Sequence, residues 1–237
     1  MSAGRLAQQE ASHGTGRREE AKGDRRRRIV EAARALIRET GDTGLTMRAI
    51  AARAGVSLTT PYNLYGSKRA IVVAILDDVR EFHERFARSR TSDAIERIFR
   101  ALSIMLEYHR EDPEFYRTLW GSLLNPSGSD ELQATLSTPQ STQFWRGLLG
   151  QAAQEGALKN DIDLDLLQQD LGFAYASAML AWVMGALGVD ELEPAIGHAY
   201  ALALSAAAEP GRSPAIYKRA LEFQKRLRQT RRRSRAA

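Results

Sequence analysis

Between Thr46 and Lys68 the chain reads TMRAIAARAGVSLTTPYNLYGSK. Thr46 suits the N-cap of a helix, where a hydroxyl accepts one of the backbone N–H groups left unbonded at a helix start. Met47, Ile50, Ala51 and Ala54 then recur at helical spacing and form one apolar face. Gly55 ends that helix, because glycine enters the left-handed conformation without a Cβ clash. Ser57 is read as the cap of a second helix of about two turns, closing at Tyr65. Gly66 breaks it and Ser67 caps a third start. Two short helices joined by Ala54-Gly55-Val56-Ser57 make a helix-turn-helix. Ala51 and Ala54 are small where the helices touch, Gly55 makes the turn, and Val56 is its apolar plug. The second helix is too short to be stable alone. Its polar side chains Thr59, Thr60 and Asn63, with Tyr62 and Tyr65 beside them, fit a surface that meets base edges and phosphates in a major groove.

Outward from this motif the period stays helical. Ile29, Ala32, Ala33, Leu36 and Ile37 predict an amphipathic helix from near Arg25, stopped at Gly41. Met1–Asp24, polar and without period, reads as a disordered basic arm. Ile71, Ala74, Ile75, Val79, Phe82 and Phe86 predict one long helix from Ser67 to about Arg88. Further helices are expected over Ser92–Arg110, Glu114–Leu124, Asp130–Ser137, Gln140–Gly156, Leu164–Leu187, Leu192–Ala208 and Ser213–Gln229. No β alternation or internal repeat is found, so the fold class is all-α. The expected domains are a DNA-binding head over 25–69, a helical body over 70–211, and a C-terminal helix with basic tail over 212–237.

Charge is distributed unevenly. Arg17–Arg69 holds 13 Lys/Arg against 6 Asp/Glu, Thr91–Gly211 holds 6 against 17, and Arg212–Ala237 holds 10 against 1. A polyanion partner for the basic head is one reading, and ordinary solvation of helix faces is the other. The chain has no cysteine, which excludes disulfides, thiolate metal sites and cysteine catalysis. No His-Glu-x-x-His, Gly-x-Ser-x-Gly or phosphate loop occurs, and His13, His83, His109 and His198 are scattered. An enzyme is therefore not expected, and neither cofactor nor metal is implied. No apolar run reaches the roughly eighteen residues of a membrane span, and no secretory signal opens the chain. A cytoplasmic location with no membrane partner is the expectation.

The stretch 46–68, with the helix before it, resembles the TetR family of one-component regulators. The shared pattern is Thr46, Ile50-Ala51, Ala54-Gly55-Val56-Ser57, Thr60, Tyr62, Tyr65 and Ser67-Lys68, and the resemblance covers roughly residues 25–88. Two positions depart from it. Pro61 stands where a bulky aliphatic residue is commoner, and Arg69 where an acidic one is. The resemblance implies a homodimer that binds a double-stranded DNA operator, with repression as the family expectation. It implies phosphate contacts for Thr46, Arg48, Ser57, Thr59, Tyr62 and Lys68, with Arg48 also within reach of a base. Leu58, Thr60 and Asn63 are the candidates for base discrimination. Each residue has a plainer reading beside this one: Thr46, Ser57 and Ser67 as caps, Tyr65 as core, Leu58 packed inward. Arg25–Arg28 either add phosphate or minor-groove contacts or are solvated, and Arg231–Arg233 with Arg235 are either a solvated end or a nonspecific nucleic-acid contact.

For the helical body the resemblance implies dimerisation and binding of a small-molecule effector of unknown identity, expected to be apolar. The small residues of Leu164–Ala208, among them Gly172, Ala176, Gly197 and Ala201, suit close helix packing, either in a four-helix interface or inside the core. Met105, Phe115, Trp120, Phe144, Trp145, Phe173, Met179 and Trp182 are the candidates to line an effector cavity, with core packing as the alternative. The implied mechanism is a shift of helix Ser67–Arg88 on effector binding, which changes the spacing of the two heads on their half-sites. A DNA-binding regulator without an effector is the alternative, separated by whether the aromatic residues line a cavity or fill a core.

Overall fold

The computed structural model describes residues 3–40, 45–76, 80–89, 91, 93–124 and 139–236. The expected stop at Gly41, the face position Val79, the loop 125–129 and the short helix 130–137 lie outside them. Among the described residues there are eleven α-helices and a single isolated bridge, Leu158 with Ala208. The all-α class stands. None of the described helices is long and apolar enough to cross a membrane. The chain divides into two compact units, residues 1–76 and 77–237.

The head comprises α1 (Ala3–Thr40), α2 (Met47–Ala54), α3 (Thr59–Tyr65) and α4 (Lys68–Leu76). Helix α1 begins at Ala3 rather than near Arg25. Its first turns lack an apolar stripe, but Ala, Arg, Leu, Gln and Glu are strong helix formers. A reading by apolar period does not register a helix that rests on propensity alone. The head core is Ile29, Ala33, Ile37, Ile50, Ile71 and Ile75, each at most 2% exposed, with Met47, Ala51 and Ala54 closing the α2 face. The compact head extends to Leu76, past the boundary expected at Arg69.

The body comprises α5 (Arg80–Arg88), α6 (Ala94–Glu111), α7 (Pro113–Leu124), α8 (Pro139–Gln154), α9 (Leu164–Val183), α10 (Val189–Ala207) and α11 (Ser213–Ala236). Helix α6 lies among α5, α7, α8 and α10 and buries Ile98, Leu102, Ile104 and Leu106 completely or nearly so. Asp93 caps it, accepting from the Glu96 N–H at 3.0 Å. Helix α9 ends at Val183, short of the expected Leu187, because Gly185 takes φ +78°. Helix α10 begins at Val189, a turn before the expected Leu192. There the Glu191 carboxylate reaches back to the Gly188 N–H at 2.7 Å and caps the start.

Helices α10 and α11 form the most extensive helix pair. Their contact depends on Gly197: a Cβ there would stand 2.6 Å from the Phe223 ring. This small residue serves packing within one chain. Arg110 and Arg226 both pair with Glu193, and Arg231 pairs with Glu191 at 3.1 Å. The Arg231 pair lies beyond the expected end at Gln229, and α11 runs on to Ala236.

Candidate nucleic-acid interface

The turn of the motif is fixed by backbone geometry. Gly55 has φ +62°, its N–H reaches Ala52 O at 3.2 Å, and the Val56 N–H reaches Ala51 O at 3.0 Å. This pair of bonds closes the helix end in a Schellman motif. Arg28 on α1 supports the same end: its guanidinium donates to Ala54 O at 3.0 Å and to Gly55 O at 2.8 Å. A cation at a helix C-terminus satisfies orphan carbonyls and opposes the negative end of the helix dipole. Arg28 is thus engaged inside the head. Arg26 is too, donating to Leu64 O at 3.2 Å, lying 5.6 Å from the Tyr65 ring centroid, and accepting at its carbonyl from the Tyr65 hydroxyl at 3.1 Å. Tyr65 is half-buried and braces α3 against α1. Arg53 and Glu39 pair at 2.5 Å, and that bond to Arg53 holds the Glu39 carboxyl below its ordinary range.

Helix α3 starts at Thr59 with Leu58 at the cap position, and Ser57 does not cap it. The Ser57 hydroxyl instead meets the Thr60 and Thr59 hydroxyls at 2.8 and 3.1 Å. Pro61 falls in the first turn, where its missing N–H has no acceptor within the helix, and its ring is buried. The departure at Pro61 thereby becomes the inward anchor of the helix. Its outward side carries Leu58 (45% exposed), Thr59, Tyr62 (52%) and Asn63. The exposure of Leu58 settles its direction, which the sequence leaves open. Thr60 is half-buried beneath this face. Thr46 caps α2 by accepting from the Ala49 N–H at 3.1 Å, Arg48 is exposed in the first turn of α2, and Lys68 is exposed at the start of α4. Ser67 caps α4, accepting from the Ala70 N–H at 3.1 Å. A shallow hollow of about 380 Å³ beside α3 is lined by Arg25, Arg28, Ser57 and Thr60 among others.

The eight effector candidates do not form one cluster. Phe115, Trp120, Met179 and Trp182 are buried between α6, α7 and α9. The Trp120 indole N–H donates to His109 Nε2 at 3.0 Å, and His109 Nδ1 sits 3.0 Å from Met105 O, so this ring is the neutral Nδ1–H tautomer. Burial pushes the His109 pKa down to about 4, against a smaller upward pull from its bond to Met105. The Trp182 indole N–H is buried without a partner among the described residues, and the Arg117 guanidinium lies 5.4 Å from its ring centroid. Met105 is half-buried on α6. Phe144 and Trp145 belong to a different group: Phe144 packs edge-on to Phe82 and Phe86 at 5.2 and 5.4 Å, and Trp145 lies 6.3 Å from Tyr200. Phe173 is 55% exposed on the outer face of α9 and joins neither group, because its position falls on the side of α9 that no other described helix covers. His109 is the residue that sequence reasoning passes over. Its one signal is its place among the apolar positions of α6. Neither the hollow beside α3 nor a second one of about 360 Å³ along α6 and α11 is lined by any of the eight.

A short, outward-turned second helix held on a Schellman turn defines the reading head of a helix-turn-helix DNA-binding protein. Residues 29–75 match the model of the bacterial regulatory proteins known as the tetR family, so the head carries the TetR-type DNA-binding sequence. The chain is 28% identical over 161 residues to the HTH-type transcriptional repressor KstR2 of Mycobacterium tuberculosis, covering 60% of this chain and 74% of that one. Among solved structures it resembles FadR of Thermus thermophilus, a TetR-family repressor in complex with lauroyl-CoA, with TM-score 0.59 and 22% identity over 76% of this chain and 93% of that one. It also resembles the TetR regulator TylP of Streptomyces fradiae, with TM-score 0.56 and 22% identity over 86% and 93%. FadR of Bacillus subtilis, in complex with stearoyl-CoA, gives 0.54 and 22% over 75% and 97%. At these identities the structural likeness speaks for the fold.

Proposed function

We propose that the protein is a homodimeric, non-enzymatic repressor that holds a palindromic operator and is released from it by an apolar small molecule. The observation that carries this reading is the outward face of α3. Pro61 is turned in, while Leu58, Thr59, Tyr62 and Asn63 face solvent. Asn63 is suited to adenine and Leu58 to a thymine methyl, while Thr46, Arg48, Ser57, Tyr62 and Lys68 grip phosphates and Thr60 supports the helix from beneath. The dimer is supported by α9, which exposes Leu166, Phe173 and Leu180 along one side, with Met184 exposed just beyond its end and Leu202 exposed on α10. Apolar side chains in such a row favour burial against a second copy. In this reading Phe173 belongs to the interface rather than to an effector site.

The apolar effector is supported by the relatives that carry lauroyl-CoA and stearoyl-CoA and by the indole N–H of Trp182, a donor that a ligand carbonyl would satisfy. A second reading, a regulator that answers to no small molecule, is favoured by the filled packing around Met179 and Trp182, both 0% exposed. Selection of DNA from a random pool by the full-length protein tests the core of the proposal. A palindrome is expected, and failure to enrich any sequence refutes it. Addition of lauroyl-CoA or stearoyl-CoA to the complex with the selected DNA then separates the two readings by release or retention. Phe173→Glu with Leu180→Glu is expected to give monomers in sedimentation, and persistent dimers would move the interface elsewhere.

A further inference from the structure

Helix α11 carries nine Lys/Arg against the single acid Glu222. Its arginines divide by direction. Arg219 pairs with Glu96, Arg226 with Glu193 and Arg231 with Glu191, and all three flank the apolar side Ile216, Ala220, Phe223 and Leu227 that packs into the body. Lys218, Lys225, Arg228 and Arg232 are exposed on the other side and have no ion-pair partner among the described residues. Their spacing of 7, 10 and 14 residues from the first places them within an arc of roughly 80° and along about 21 Å of helix.

We propose that this outer stripe of α11 is a second, sequence-independent DNA-binding surface that lies along the phosphate backbone of a duplex. The body it is built on is acidic, with 17 Asp/Glu against 6 Lys/Arg over Thr91–Gly211, so carboxylates to neutralise these cations are plentiful. The fold uses them on the inner arginines and leaves the outer four facing away. Four like charges in one row repel one another, and a polyanion removes that cost while releasing its condensed counterions. A lipid surface fits less well. The apolar side of α11 is committed to the body, which leaves Tyr217 and Leu221 as the exposed apolar groups, too few to enter a bilayer. The stripe raises affinity for every duplex alike, so the choice of base stays with α3.

The test compares the full-length protein with a variant carrying Lys218→Gln, Lys225→Gln, Arg228→Gln and Arg232→Gln. Binding to a duplex of unrelated sequence is measured from about 50 to about 200 mM salt. Each lost phosphate contact lowers the slope of log affinity against log salt by about 0.9, so with all four engaged the salt-induced loss shrinks on the order of a hundredfold. The base preference of the selected operator should not change. Arg226→Gln is the control: it breaks an internal pair and should lower the melting temperature with the salt slope intact. An unchanged slope in a variant of native helix content overturns the proposal. So does loss of binding to phosphatidylserine vesicles in place of DNA. If the fourfold variant does not fold, the pair Lys218→Gln and Lys225→Gln is read the same way, with a slope change of about 1.8 expected and none refuting.

Discussion

Acidifying the protein should unfold it from inside the α6–α7–α9 contact, through His109. The ring is 3% exposed, and its two nitrogens have opposite duties. Nδ1–H donates to Met105 O, and Nε2 accepts from the Trp120 indole at 3.0 Å. A proton added at Nε2 sets one N–H against another in a site too buried for solvent to relieve it. Burial accordingly moves the pKa from the ordinary 6.5 down to about 4. The unfolded chain takes up the proton first as pH falls, so stability is full above about 6.5 and drains away towards 4. The difference integrates to about 3 kcal/mol, of which about 2 kcal/mol is lost by pH ~5. The assay is urea unfolding followed by circular dichroism at a series of pH values, for the native protein and for His109→Gln. Glutamine keeps an acceptor for the Trp120 N–H and does not titrate. The variant should be less stable at neutral pH, through imperfect packing, and should have a flatter profile between pH ~6.5 and ~5 because the histidine step is gone. Parallel profiles in the two proteins would refute the reasoning, as would a His109 ring that titrates near 6.5 by NMR.

Three other outcomes follow from the same structure. Gly197→Ala forces a methyl against Phe223, whose ring already stands 2.6 Å from the added carbon, and should cost about 1–3 kcal/mol in thermal unfolding. Arg28→Ala removes the donor from Ala54 O and Gly55 O and should destabilise the head by about 1.5–3 kcal/mol; operator affinity, read by anisotropy, should fall although Arg28 is engaged within the head. Asp93→Ala should cost about 1 kcal/mol through loss of the α6 cap, whereas Asp93→Asn keeps the cap and loses only the Arg212 pair. Burial raises the Asp93 pKa, but the Glu96 N–H and Arg212 outweigh it and hold the carboxyl below its ordinary value. The stability gap between the native protein and the Asp93→Asn variant, read from denaturant melts, should persist above pH ~4 and close as pH falls through the lowered pKa.

The head is legible because its determinants are local. A cap at Thr46, a left-handed glycine at Gly55, an apolar face at Met47, Ile50, Ala51 and Ala54, and a break at Gly66 each act within a few residues, and the structure repeats them one for one. Local patterns also have blind spots. A helical stretch whose sequence carries no apolar period escapes this reading, so the start of α1 at Ala3 is invisible beside the polar composition of its first turns. Composition likewise groups eight aromatic and Met residues that the fold separates. Trp120 and Trp182 lie under α6 beside His109, Phe144 and Trp145 lie near α5 and Tyr200, and Phe173 faces out.

By itself, then, the sequence determined the all-α class, the helix-turn-helix and the side chains available to it, because helical periodicity, capping and turn chemistry are written in neighbours along the chain. Only the tertiary structure decided direction. It turned Pro61 in and Leu58 out. It tied the exposed Arg26 and Arg28 to backbone carbonyls of the head. It fixed His109 as an acceptor, and it left one row of cations on α11 facing solvent while pairing another. Those choices depend on which distant element packs against each face, and a residue's type and spacing do not encode the identity of that neighbour.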